Sequence, residues 1–443
     1  MKRTNSLILS LFLTGIVFSQ TIDPSYEVAT WLGDKAATMT YTFDDNDLNQ
    51  LAVAVPLFNE FDYKLTLYTL TGSETGWRDP DWTGLQEAAS QGHEIGNHTV
   101  THPNFNDISL EEQKSELVDS YNAIAANIPT QTWQTLAYPY CATGNDSLVS
   151  QYFIGARTCS GSMNRPSPSN MLNLSSIICG TEGSQKTAAN LNSSADNAAS
   201  RNRWCVFLFH GIDDDGGWSP FESTEMRSHL EYIHAKQHLF WVATFGDAIR
   251  YIRERDAVSV TEISVEDTVI TVQVTDTLDN AVYNHPVTIR RPLPDGWPSA
   301  TATQNGQAVN SRIVLNETVL SILFDVVPDA GSIELIRSEN TAVRSDASYL
   351  QKDLYLSQNF PNPFNPSTEI QFRLEQSGRV VVKILNTLGQ EIVLLSNRQY
   401  RSGLHTLNWN GRDATGARVT SGVYFCQLKT DRFSRIRRMI LLP

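Results

Sequence analysis

Ala36-Ala-Thr-Met-Thr-Tyr-Thr-Phe43-Asp44-Asp45 is the stretch on which the fold turns. The run Ala36–Phe43, rich in β-branched and aromatic side chains, predicts a buried strand, and two carboxylates stand at its end. Adjacent carboxylates placed there are costly unless a cation or a proton compensates them. Outward from this strand the pattern repeats. Candidate strands are Lys64–Leu70, Glu94–His98, Thr135–Tyr140, Phe153–Thr158, Cys205–His210 and Leu239–Thr244, and candidate helices between them are Leu48–Phe61, Trp82–Gln91, Leu110–Ile128, Gln185–Arg201 and Glu222–Gln237. Ser109, followed three residues later by Glu112, predicts a capping box for the third helix. Such alternation implies a parallel sheet or a β/α barrel, whose chemistry gathers at the C-terminal ends of the strands.

Two further strand ends carry unusual residues. His93-Glu-Ile-Gly-Asn-His98-Thr-Val-Thr-His102-Pro103 places two histidines at i and i+4. That spacing lets them face one another across a helical turn, and with one carboxylate it forms the set that suits Zn²⁺ with open positions. The pair alone reads by default as solvated or core-satisfied; the upstream Asp44-Asp45 reverses that reading. Cys205-Val-Phe-Leu-Phe-His210-Gly211 puts a histidine where an apolar strand ends. Beside a metal and a spare carboxylate, this imidazole can supply the proton of general acid catalysis. His229, His234 and His238 share one predicted helix, but no carboxylate motif accompanies them, so no second metal site is read there.

In this order the three fragments resemble the polysaccharide deacetylase family (carbohydrate esterase family 4, the NodB homology domain) over about residues 34–255. The resemblance implies a distorted β/α barrel, hydrolysis of acetyl groups on a carbohydrate, and one divalent metal, zinc first among the candidates. It assigns Asp44 as general base, Asp45, His98 and His102 as metal ligands, and His210 of Leu208-Phe209-His210 as general acid. The family's Arg-x-Pro-Tyr-Gly motif corresponds to Ala137-Tyr138-Pro139-Tyr140-Cys141. Tyr140 keeps its place, with its backbone N–H toward the oxyanion, while Ala137 replaces the arginine that orients the base. Arg157, at the next strand end, is the candidate substitute, a structural arginine being the alternative. The family's Asp-Trp pair, which tunes the acid histidine and lines the groove, has no match between Cys159 and Trp204; one of Asp213, Asp214 and Asp215, with Trp218, is the candidate replacement.

Beyond Tyr251–Asp256 a period of two takes over in Ile270, Val272 and Val274, Val287 and Ile289, Ile313 to Leu315, Val319 to Phe324 and Ile333 to Ile336. Residues 257–338 are therefore expected to form an all-β immunoglobulin-like sandwich, read as a spacer, with Trp297 its one obvious aromatic for stacking. Polar residues 339–355 are expected to link it to a last module, 356–443. That module carries Asn359-Phe-Pro-Asn-Pro-Phe-Asn-Pro-Ser-Thr368, Gly411-Arg-Asp-Ala-Thr-Gly416, Ser421-Gly-Val-Tyr-Phe425 and Arg435, Arg437 and Arg438 before Met439-Ile-Leu-Leu442. It is similar to the C-terminal sorting domain of the type IX secretion system, which implies a second sandwich and the secretion machinery as partner. At the other end, Lys2 and Arg3 precede the apolar run Leu7–Phe18, the layout of a signal peptide over residues 1–20. The run is shorter than the ~20 residues of a bilayer span, so a secreted or cell-surface protein without a membrane span is expected, its deacetylase domain occupying 21–256.

Composition sets outer limits. Lys and Arg number 34 against 48 Asp and Glu, a net charge of −14 that would repel a polyphosphate backbone and argues against nucleic-acid binding. Four of the cysteines, Cys141, Cys159, Cys179 and Cys205, cluster without CxxC spacing, which speaks against structural zinc; in an oxidising compartment at least one disulfide is expected, its pairing open. The functional expectation is a secreted metal-dependent deacetylase of an N-acetylated polysaccharide or oligosaccharide of chitin or peptidoglycan type. An O-acetyl esterase on acetylated xylan-type glycan and a non-catalytic carbohydrate-binding surface protein are the alternatives.

Overall fold

Strand β1 (Ala37–Asp44) is buried on both faces, and its alternation sorts its surroundings. Met39, Tyr41 and Phe43 pack one way, into a core with Phe58, Leu191, Phe207, Phe209 and Leu230. Thr38, Thr40 and Thr42 face the other way and are equally buried. Two of these hydroxyls are satisfied, Thr40 Oγ1 donating to Ala243 O and Thr42 Oγ1 to Phe207 O, both at 3.0 Å, while Thr38 Oγ1 has no hydrogen-bond partner among the described residues. A strand covered on both sides belongs at the middle of a parallel sheet.

The computed structural model describes residues 20–72, 78–316, 319–339, 354–356, 359, 362–374, 377–387, 389–401, 403–430 and 434–442. The expected signal peptide, apart from Gln20, and most of the expected linker lie outside the described residues. Around β1 stand β2 (Thr66–Thr69), β3 (Glu94–Asn97), β4 (Thr135–Ala137), β5 (Gly155–Arg157), β6 (Ile177–Ile178), β7 (Trp204–Phe209) and β8 (Phe240–Val242). Their order is β5-β4-β3-β2-β1-β7-β6, with β8 also pairing β1, and every pairing is parallel. The sheet is a curled half-barrel. Helices α1 (Val55–Glu60), α2 (Trp82–Ser90), α3 (Leu110–Asn127), α4 (Asp146–Val149), α5 (Ala188–Ser200), α6 (Ser223–Ala235) and α7 (Phe245–Ala257) connect its strands. The capping box of Ser109 and Glu112 starts α3 as expected. Three elements, β6, α4 and α7, are absent from the candidates given above; β6 and α4 are too short to show a period, and of α7 only the charged end Tyr251–Asp256 stands out.

The chain divides into two compact units, Met1–Ile313 with Val319–Thr341, and Val314–Thr318 with Ala342–Pro443. The first holds the half-barrel and two antiparallel sheets. Ser259–Val265, Val269–Thr275, Ile333–Arg337 and Ala300–Gln304 pair in one; Glu27–Val28, Val287–Pro292 and Val319–Val326 pair in the other. Val260, Ile270, Val272, Val274, Val287, Ile289, Phe324 and Leu335 fill the space between them. Tyr26 and Tyr251 join this core, from residues the sequence reading placed in the preceding domain. Trp297 is also buried in it, at 6 % exposure, and offers no stacking surface. The second unit is mostly strands, with Ile370, Phe372, Val380, Val382, Trp409, Leu428 and Met439 in its core. Among the described residues no helix is long and apolar enough to cross a membrane.

Candidate active site

The strand ends expected to carry chemistry converge. Asp44 is the last residue of β1, His98 follows β3, Arg157 ends β5 and His210 follows β7. After Asp44 the backbone turns sharply, with φ of 76° at Asp45 and 60° at Asn46, a conformation that Asp and Asn tolerate better than most residues. The two histidines do not lie on a helix. Residues 98–102 form a turn with φ of 72° at Thr99 and 59° at His102, so the i, i+4 facing expected of a helical turn is reached by a bent loop instead. Glu116 of α3 holds that loop: its Oε2 accepts from the N–H groups of Val100 and Thr101, both at 2.8 Å.

His98 Nε2 lies 3.3 Å and His102 Nε2 3.6 Å from Asp45 Oδ1, and the ligand atoms of the three residues are all within 4.8 Å of one another. His98 Nδ1 donates to Ala137 O at 2.8 Å, so its tautomer leaves the Nε2 lone pair facing a carboxylate. Two acceptors in that relation need a proton or a metal cation between them, and three such side chains with ligand atoms this close suit a divalent ion. Ala137 thus orients a histidine through its carbonyl, which its side chain does not affect.

Asp44 lies beside this group, its Oδ2 3.7 Å from His98 Nε2, and its Oδ1 accepts from Nη2 of Arg157, which is 1 % exposed. The guanidinium lies 4.7 Å over the Tyr68 ring. His210 Nε2 is 3.8 Å from Asp45 Oδ2. The rim is aromatic: Tyr140, 63 % exposed, places its ring 4.7 Å from His102, and Trp218, 48 % exposed, stands edge-on 4.6 Å from His210. The Cys141–Cys159 disulfide ties the Tyr140 turn to the chain just past Arg157; Cys179 and Cys205 are buried free thiols.

Burial opposes ionisation of Asp45, but the His98 hydrogen bond and the neighbouring histidines outweigh it and hold the carboxyl down at about 2. His98 is pushed up, because Asp44 and Asp45 overcome its burial. Burial, then the adjacent His98, holds His102 down at about 4, and burial likewise lowers His210.

One expectation needs correction. None of Asp213, Asp214 and Asp215 hydrogen-bonds His210, whose Nδ1 is buried without a hydrogen-bond partner among the described residues. Asp213 caps α6 through Ser223 N–H at 2.7 Å, and Asp215 accepts from Gly217 N–H at 2.9 Å and Ile212 N–H at 3.2 Å. Short acidic residues in a turn satisfy the nearest backbone donors first. The histidines of α6 are dispersed as well: His229 is bonded to Tyr41 and Asn192, while His234 packs on Phe61 and Tyr63.

Residues 33–158 match the family model of polysaccharide deacetylases. Over those residues the chain is similar to a polysaccharide deacetylase domain. Residues 358–442 match the secretion system C-terminal sorting domain. A gellan lyase from Bacillus sp. is 27 % identical over 333 residues, 70 % of this chain but 13 % of that relative's length. A Mycobacterium smegmatis protein described as a polysaccharide deacetylase shares 14 % identity at a TM-score of 0.40, covering 54 % of this chain and 98 % of that one. The CE4 domain of a multidomain xylanase from the hindgut metagenome of Trinervitermes trinervoides shares 14 % at 0.35, over 48 % and 88 %. A family 4 acetyl xylan esterase from Clostridium thermocellum, solved with a cobalt ion, shares 14 % at 0.34, over 48 % and 89 %.

Three residues of the candidate site carry no sequence signal strong enough to single them out above. Gln50 donates from Nε2 to Asp44 O and to His210 O, the latter at 3.2 Å. Glu116 braces the histidine turn as described. Asp47 is buried 3.7 Å from Arg78, its carboxyl raised to about 7 by burial and by Asp215 and Asp45. Only the position of Asp47, three residues past Asp44, was a visible signal.

Proposed function

We propose that this chain is a secreted, divalent-metal-dependent carbohydrate deacetylase acting on an N-acetylated polysaccharide or oligosaccharide of chitin or peptidoglycan type. The observation that carries the reading is the clustering of the ligand atoms of Asp45, His98 and His102 within 4.8 Å of one another, with the arginine-bound Asp44 3.7 Å from His98 and His210 3.8 Å from Asp45. Asp45, His98 and His102 would hold the ion, zinc by preference. Such an ion supplies Lewis-acid polarisation of an acetyl carbonyl and of a water. Asp44, held by Arg157, takes the proton of the attacking water. The Tyr140 N–H faces the developing oxyanion, and His210 delivers a proton to the departing nitrogen. Acetate and a free amine result. Trp218 and Tyr140 form the walls against which a sugar ring rests.

Residues 1–20 serve in this proposal as a signal peptide, and 356–443 as a type IX sorting module that brings the protein to the cell surface or beyond. The all-β regions 257–338 and 356–443, either side of the linker 339–355, are read as immunoglobulin-like sandwiches.

The test is acetate release by the purified chain from chitooligosaccharides, peptidoglycan fragments and acetylxylan. Release from the N-acetyl substrates, abolished in Asp44→Asn, is expected. Release from acetylxylan alone would make the enzyme an O-acetyl esterase, and a metal-loaded chain that releases none from any acetylated glycan would be a binding protein.

A further inference from the structure

We propose that Gln50 is a positioning residue that fixes the separation of Asp44 and His210, an assignment that rests on the deacetylase reading of those two residues. The ladder between β1 and β7 ends with Phe43 opposite Phe209. Asp44 still pairs with Tyr68 of β2, but it and His210 stand one residue beyond the last β1–β7 pairing, where that ladder no longer joins them directly. Gln50, 3 % exposed, supplies what the ladder lacks: its amide donates to the carbonyl of Asp44 and to that of His210, joining the two ends across the gap. A buried primary amide with a carbonyl on each of its two hydrogens has one favourable orientation.

The local backbone explains how the side chain reaches there. Gln50–Ala54 is a π-helical turn in which Val55 N–H bonds Gln50 O, a widened geometry that recurs at functional sites. Asn49 extends the grip: its Nδ2 donates to Ile212 O at 2.9 Å and its N–H to Asp215 Oδ2 at 3.3 Å. This engages Asp215 in the turn, away from the imidazole. His210 consequently has no carboxylate on Nδ1, and the backbone that Gln50 holds, together with the Trp218 ring, sets where its Nε2 points.

Displacing a reacting group by about 1 Å costs about 10²-fold in rate. Gln50→Met keeps the length of the side chain and removes both donors; Gln50→Glu keeps the shape and turns donors into acceptors facing two carbonyls. In the full chain, both are expected to bind the same amount of Zn²⁺ as wild type, to keep KM within about twofold, and to lose about 10²-fold in kcat. Crystal structures are expected to show the His210 ring displaced relative to Asp44. A kcat within about threefold of wild type, or a His210 that has not moved, overturns the proposal. Should both variants fail to fold, Asn49→Ala removes the outer bond alone; a loss in kcat at unchanged KM supports the clamp, and wild-type kinetics overturn it. A wild-type chain that releases no acetate would sink the deacetylase reading, while the position of His210 in the variant structures would still decide whether Gln50 holds the two ends.

Discussion

Replacing Arg157 with methionine strips the buried Asp44 carboxylate of its guanidinium partner while leaving an unbranched side chain in the space. Arg157 is 1 % exposed and Asp44 2 %, so water cannot take over the lost bond. Removing one partner of a buried ion pair costs about 3–5 kcal/mol, and the cation over the Tyr68 ring adds about 1–2 kcal/mol. A loss of about 4–7 kcal/mol is expected. Asp44→Asn strands the guanidinium in turn and is expected to cost a comparable amount, but Arg157→Met with Asp44→Asn leaves no buried charge in the pair. The double variant should therefore be more stable than the sum of the singles by at least about 2 kcal/mol. Urea unfolding of the full chain, followed by hydrogen exchange in peptides from β1 and β5, measures each corner of the cycle where the pair resides. Arg157→Met is also expected to lower kcat/KM by about 10²–10⁴, the usual contribution of a positioned base. Stability effects that add to within about 0.5 kcal/mol would refute the argument that Arg157 and Asp44 compensate one another.

Chelation should abolish acetate release and Zn²⁺ restore it; an ion at 100 times its Kd should stabilise the fold by about 2.7 kcal/mol, and His102→Ala should lose both responses in activity and melting assays. A peptide map without reductant should show Cys141 joined to Cys159, with Cys179, Cys205 and Cys426 alkylated only after unfolding. Reduction of that 18-residue loop should cost about 3 kcal/mol, and a Cys179–Cys205 link in the map would contradict the assignment. Glu254 of α7 is held up at about 9, through burial and a shared proton with Asp276. It binds that proton in the folded state and releases it on unfolding, so the stability it contributes is complete below about 4.5 and is lost as pH rises through about 9. Melting temperatures of Glu254→Gln should lose that part of the slope; a slope equal to wild type would argue against the shared proton.

Much of the site was legible because the chemistry lies at strand ends that announce themselves. Asp44-Asp45 after an apolar run, and His210 after another, are marked by the expense of placing such groups there. The histidine pair announces itself by its spacing, yet a loop with two left-handed residues, not a helical turn, brings the rings together. Gln50, Glu116 and Asp215 act on backbone groups of distant segments, and no local pattern marks a glutamine that will meet two carbonyls more than one hundred residues apart. The strands were overrun at their C-terminal ends for a related reason: pairing, which stops where neighbours diverge, decides a strand's end, and apolar character continues past it.

Local order therefore lay in the sequence itself: which segments alternate with period two, which with a helical period, where α3 begins, and which residues stand at the strand ends. Those properties arise from side chains close along the chain. What only the tertiary structure decided is what those residues meet. It brought Arg157 from β5 to the carboxylate that Ala137 cannot serve, gave Asp215 to a turn and not to His210, paired Cys141 with Cys159, and carried Tyr26 and Tyr251 into the core of the neighbouring sheets. The arginine and tyrosine contacts join segments far apart in sequence, the Asp215 and cysteine partners lie nearer, and all are settled by how the sheet curls and which buried groups still need a partner.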